Sequence, residues 1–242
     1  MKFILGKKIE MTQIWKGDNV IAVTKVQAGP CQVLQIKNVK KDGYESIQIG
    51  FDSKKEKNIN KPQIGHFKKA GARTDTRFVK EFRTNDKAEV GDLITVATFN
   101  EGDKVKIVGT SKGKGFQGVV RRHGFHGQDK THGHKDQNRM PGSIGATAPQ
   151  RVFKGLRMGG HMGDDRTTIP NTEIVEIDLA NNILYIKGGL PGGRNSLVMI
   201  QGGGDLVVNK KGEEKTEVAV NETTKEEVAT EEVVASEENK AE

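Results

Sequence analysis

Disulfide bonding is excluded at once, because the chain carries a single cysteine, Cys31, and cannot close an internal bridge. Long apolar runs are missing too. Nothing approaches the ~20 residues that a bilayer-spanning helix needs, and the opening MKFILGKKIEMTQ is too polar for a secretory signal. The expectation is a soluble cytoplasmic protein. Aromatic residues supply only 5% of the 242 positions and hydrophobic residues 33%, so part of the chain must lie outside any core. The most telling shortage is of acids. From Lys106 to His161 stand eleven Lys or Arg against two acids, Asp129 and Asp136, a net of +9, together with five of the six histidines. Such a segment repels itself in water, and a polyanion is the natural source of the missing counter-charge. Nucleic acid is therefore the expected partner, and nothing calls for a membrane, a cofactor or a small-molecule substrate.

The missing acids sit at the other end. From Lys210 to Glu242 there are eleven Glu and five Lys, a net of −6, which leaves the rest of the chain at +13. From Gly202 onward (202–242) the sequence is mostly Glu, Val, Thr and Lys with no aromatic residue, the composition of a disordered acidic tail that adds nothing to a core.

What is present is β pattern. VIAVTKV (20–26), CQVLQIKN (31–38) and YESIQIGF (44–51) are rich in β-branched residues and are punctuated by Gly29-Pro30 and by Asp42-Gly43. That spacing predicts consecutive antiparallel pairing, with a tight hairpin turn at Asp42-Gly43. A polar connector follows (52–76), with room for a short helix near His66 to Lys69. Strand pattern resumes at 77–83, 92–99 and 104–110, vanishes, and returns at 173–178, 183–188 and 196–201. A mainly β, closed or partly closed antiparallel barrel accounts for this order, with the body at 1–111 and 168–201 and a basic finger at 112–167 projecting from it. Fully extended, the finger could reach about 80 Å.

GTSKGKGFQGVVRRHGFHG (109–127) is not a nucleotide-triphosphate loop, since no Lys followed by Ser or Thr stands at the required offset. Gly113, Gly115 and Gly118 instead bare the backbone to phosphates, while Lys112, Lys114, Arg121 and Arg122 bring charge. Phe116 and Phe125 suit either stacking on unpaired bases or local packing beside Val119 and Val120. His123, His126, His132 and His134 could suggest zinc, but cysteine and supporting carboxylates are absent around them, and no metal is expected. A histidine-based ribonuclease is a formal alternative, opposed by the lack of any framework to hold catalytic groups still. A free RNA chaperone or translational repressor is another. Asp164, Asp165 and Arg166 fit a turn re-entering the barrel, and Glu173, Glu176 and Asp178 a solvated strand face.

GTSKGKGFQG, RMPGSIGA (139–146), RVFKGLRMGGHMGDDRTT (151–168) and IKGGLPGG (186–193), with LGKKIEMTQIW (5–15) and IGHFKKAG (64–71), closely resemble the bacterial family of large-subunit ribosomal protein three. The resemblance runs from about Met1 to Gln201. It implies a six-stranded translation-protein type barrel with short helices and an extension running through 23S rRNA toward the peptidyl transferase centre. It also implies an early assembly role near the 3′ end of that RNA, neighbours in ribosomal proteins fourteen and nineteen, and no catalytic residues. On this reading the RNA-facing set adds Lys130, Lys135, Arg139, Arg151, Lys154, Arg157 and His161 to the residues above. Pro141, Gly142, Ser143 and Gly145 come nearest the catalytic RNA. One departure stands out: many members carry an N-methylated glutamine after Gly-Ser-Ile-Gly, and here that position is Ala146, so no modification is expected. The tail also lies outside the family pattern.

Overall fold

Consecutive residues Phe3, Ile4 and Leu5 are all fully buried at the start of the first strand, a continuous apolar run of the kind found where a strand is covered on both faces. A computed structural model, which describes residues 1–71, 75–84 and 86–210, explains the double burial. The chain forms β1 (Lys2–Lys16), β2 (Asn19–Ala28), β3 (Cys31–Lys37), α1 (Val39–Asp42), β4 (Ser46–Ser53), α2 (Lys61–Lys69), β5 (Thr76–Phe82) and β6 (Leu93–Ile94). It continues as β7 (Lys104–Thr110), β8 (Phe116–Gln117), α3 (Val119–His123), β9 (Gly160–His161), β10 (Arg166–Asp178), β11 (Ile183–Lys187) and β12 (Leu197–Gly202).

Six strands close an antiparallel barrel in the order β1-β12-β7-β10-β11-β2. Its register sets apolar residues against one another: Ile4 faces Ile200, Ile200 faces Ile107, Ile174 faces Ile186 and Leu184 faces Val26. Strands β5-β4-β3-β6 form a separate four-stranded sheet packed on the barrel, and the two share one core. Phe3 of the barrel stacks on Phe82 of the sheet, ring centroids 4.5 Å apart. A smaller cluster of Leu34, Ile59 and Phe67 seats α2, whose first turn holds Pro62, a residue that fits there because its missing N–H would be unpaired anyway.

The barrel follows the expectation, whereas several local readings need correction. β2 does not pair with β3. Pro30 has no N–H to extend a ladder, and Gly29, at φ +71, turns the chain out of the barrel into the second sheet. Asp42-Gly43 is not a two-residue hairpin turn. Val39–Asp42 wind one helical turn, and Gly43 caps it in the left-handed region, φ +81, with its N–H donating to the Val39 carbonyl. Of the strand read at 92–99, only Leu93 and Ile94 pair. Val96–Thr98 form a 3-10 turn in which the Thr98 hydroxyl donates to the Thr95 carbonyl, the local bonding by which Thr competes with a ladder.

β10 begins seven residues earlier than the strand read at 173, because Pro170 and Asn171 (φ +55) look like breakers but sit in an irregularity between Ile169 and Thr172. The expected start of the tail at 202 is also too early. Leu206 packs on the core, the Val207 carbonyl accepts from the Thr98 hydroxyl, and Asn209 exchanges backbone hydrogen bonds with Leu93. Leu206, Val207 and Asn209 all precede the change in composition at Lys210. The acidic stretch itself, from 211, lies outside the described residues.

Candidate nucleic-acid interface

The finger leaves the barrel between paired residues, Thr110 of β7 opposite Arg166 of β10. The ladder continues past the barrel wall. Ser111 N–H donates to the Asp165 carbonyl (2.9 Å), Lys114 N–H to Met162 (2.9 Å) and Met162 N–H to Gly115 (3.0 Å), after which β8 pairs with β9. Gly163, at φ +78, lies so close to Lys112 and Gly113 that a side chain there would overlap the Lys112 carbonyl. Glycine is required at that point by both conformation and space.

α3 follows β8. Its anchor is Val119, 4% exposed, and Gly124 ends it in the left-handed region with its N–H on the Val120 carbonyl. Arg122 crosses Gly160 and donates from Nη1 to the Met158 carbonyl (2.9 Å), the atom that also lies 3.0 Å from His123 Nε2. Arg121 instead bonds Gln117 Oε1 at 3.3 Å on the exposed side. The expectation that the whole finger lacks a framework is therefore corrected: its base has a hairpin and a helical turn of its own, built from Val119 burial and the Arg122 staple. The long stretch without regular secondary structure runs from residue 124 to residue 159.

Phe116 is 79% exposed, so its ring is available rather than buried, although its edge lies near Gly159. Phe125 is half-buried and tilts against His123, with centroids 6.1 Å apart. Beyond α3, Gln128 N–H donates to the Asn138 carbonyl and folds residues 128–138 into a sub-loop that carries Lys130, His132, His134 and Lys135 on its surface. Pro141, Gly142, Ser143, Gly145 and Ala146 are exposed, with Ser143 Oγ donating to the Gly145 carbonyl. On the return path Arg151 stands over the Phe153 ring at 5.8 Å, and Lys154, Arg157 and His161 face solvent, as do Lys112, Lys114, His126 and Arg139. No group of three His, Cys, Asp or Glu capable of holding a metal occurs among the described residues.

Charge separates the finger from the body. Every ion pair among the described residues joins groups of the barrel, the second sheet or the loops around them, such as Lys2–Asp103 and Lys37–Glu81, and none involves a residue between 111 and 161. The finger's cations thus stand without carboxylate partners among those residues.

One element of the site was not legible in the sequence. Lys8 Nζ donates to the carbonyls of Leu190 (2.9 Å) and Gly192 (3.3 Å), and its pKa is held below the ordinary lysine value by burial first and by the charge of Lys112 second. The turn it grips abuts the finger root: a Cβ on Gly109 would lie 2.9 Å from Pro191, and one on Gly192 2.9 Å from the Thr110 carbonyl. LGKK and LPGG stand out as motifs, but nothing in the chain says that residues more than 180 positions apart meet.

The profile of the family described as Ribosomal protein L3 matches residues 77–180, a span that includes the whole finger and both strands at its root. The large ribosomal subunit protein uL3 of Deinococcus radiodurans is 49% identical over 202 residues, covering 83% of this chain and 94% of that protein. The uL3 of Fervidobacterium nodosum is 50% identical over 204 residues, covering 83% and 98%. The chain belongs to the uL3 family. The uL3 relatives are matched almost end to end, 94% and 98% of their own length.

Proposed function

We propose that the protein is a structural constituent of the large ribosomal subunit that binds 23S rRNA through its finger and has no catalytic activity of its own. The observation that carries this reading is the net +9 between Lys106 and His161, with no ion pair to residues 111–161 among the described residues, on a segment held out from a barrel that fixes both its ends. In this reading the exposed Lys and Arg side chains neutralise phosphates. Phe116, with most of its ring in solvent, offers a stacking face, and the base hairpin sets the direction in which the finger enters RNA. The family resemblance supports finer roles: nucleating early assembly near the 3′ end of the RNA, carrying Pro141 to Thr147 toward the peptidyl transferase centre, and adjoining ribosomal proteins fourteen and nineteen. Ala146 leaves that loop without the methylated glutamine.

If the body closes about six to ten phosphate contacts, log affinity for large-subunit RNA fragments should fall against log salt with a slope of roughly −5 to −9. A flat response would refute the electrostatic account. Sedimentation separates a ribosomal component from a free chaperone, since the former co-migrates with large subunits after a moderate salt wash. Incubation with labelled RNA tests the remaining alternative: specific cleavage lost on His123→Ala or His134→Ala would make the protein an enzyme.

A further inference from the structure

Residues 1–210 carry a net +14, of which +9 lies between Lys106 and His161, while residues 211–242 carry eleven Glu and four Lys, a net of −7. The two extremes of charge leave the body at different places. β12 runs antiparallel to β7, so its end at Gly202 lies beside Val105, at the far end of β7 from the finger root at Thr110. The chain then crosses to the second sheet, where Asn209 bridges to Leu93 of β6, one edge of the order β5-β4-β3-β6. The opposite edge borders the finger: Lys80 and Glu81 of β5 line a cavity of about 370 Å³ together with Val108, Thr110 and Arg166. Four strand spacings, about 19 Å, therefore separate the place where the acidic segment departs from the neighbourhood of the finger root. The 32 residues of that segment would reach about 48 Å even if wound wholly into helix, and about 105 Å if extended.

We propose that residues 211–242 are an intramolecular ligand of the finger, an acidic peptide that occupies its cations until RNA displaces it. The inference rests on the finger being the RNA-binding element. The finger is favoured over the rest of the body because its lysines and arginines have no carboxylate partners among the described residues, whereas many on the barrel and second sheet do. Tethering at this range gives an effective concentration of order millimolar, enough for weak contacts between exposed charges to form together. A competitor of this kind lowers affinity for every RNA by the same factor. Weak, incidental RNA is then kept off, while a site that engages the whole finger still wins. Salt weakens the internal contact as well as the RNA contact, so the full chain should show a shallower salt dependence than a chain without the acids.

The test compares the full chain with two variants, one with all eleven tail glutamates changed to Gln and one ending at Lys210, for binding to a uridine 20-mer. Both variants should bind about tenfold more tightly near ~50 mM salt and converge with the full chain near ~500 mM. In RNA-free full chain, carbodiimide should link tail glutamates to Lys112, Lys130 or Lys154 within one molecule, and the 20-mer should suppress those links. Equal affinity of the full chain and the Gln variant would overturn the proposal. So would weaker binding by that variant, links confined to barrel lysines, or links only between molecules, as expected if a separate basic protein is the partner. Should none of the three proteins bind RNA in a salt-dependent way, the RNA-binding reading itself fails, and the RNA-free cross-links still decide whether the tail meets the finger.

Discussion

Lys37 and Lys130 illustrate how differently two regions of this chain treat the same side chain. Lys37, on the second sheet, lies 2.7 Å from Glu81 and 2.6 Å from the Tyr44 hydroxyl, and these hydrogen bonds hold its pKa above the ordinary lysine value. Lys130, on the finger, is exposed, and no carboxylate stands within ion-pair distance of it among the described residues. The body is held by burial and by charges that answer one another. The finger is held at its base, and among the described residues no carboxylate pairs with its cations, so on the proposed reading stability and binding are carried by different residues and should be separable by mutation.

The largest expected effect falls on the body alone. Phe3→Ala removes a fully buried ring that stacks on Phe82 and should cost about 3–5 kcal/mol in denaturant unfolding, while the salt slope for RNA binding stays the same in the folded fraction. An unchanged midpoint would mean that barrel and second sheet do not share a core. Gly163→Ala tests the boundary between the regions. It forces a side chain into the left-handed region against the Lys112 carbonyl and should cost about 1–3 kcal/mol locally. Hydrogen exchange should show faster amides at Lys114 and Met162, with the barrel amides of β7 and β12 unaffected.

A smaller effect distinguishes two neighbours. Arg121→Ala and Arg122→Ala should each reduce the salt slope by about 0.9 if each removes one phosphate contact. Only Arg122→Ala should also loosen the base, because only Arg122 donates to Met158. Equal exchange rates in the two variants would dismiss the staple. The last effect appears only in alkali and concerns Cys31. Burial pushes its thiol up to about 12 from 9.0, so in alkali the folded chain keeps a proton that the unfolded chain has lost. Its contribution is fully present below about pH 9 and is lost as pH rises toward 12, a decline that Cys31→Val should lessen.

Much of the body was legible because local pattern and final environment agree there. β7, β11 and β12 are β-branched segments bounded by turn residues, and they lie within a residue or two of where the sequence puts them. Closure of the barrel was legible as a class but not as an order. β1 meets β12 across nearly the full length of the folded part, and no local signal distinguishes that partner from β2. The finger's charge was plain in the sequence, but the direction of its side chains was not. Arg121 and Arg122 are identical in composition, and helical geometry alone turns one toward solvent and the other onto the returning strand.

The pairing of Thr110 with Arg166 makes the 55 residues between them a cassette. Opposed residues in an antiparallel ladder stand about 5 Å apart, a gap that a two-residue turn spans as well as a long excursion does. Because closure entropy grows only slowly with length, the barrel hardly senses what is spliced in at this point. A shortened, lengthened or foreign insert should therefore be displayed on the same platform, so the platform can stay fixed while the reach of its attachment drifts.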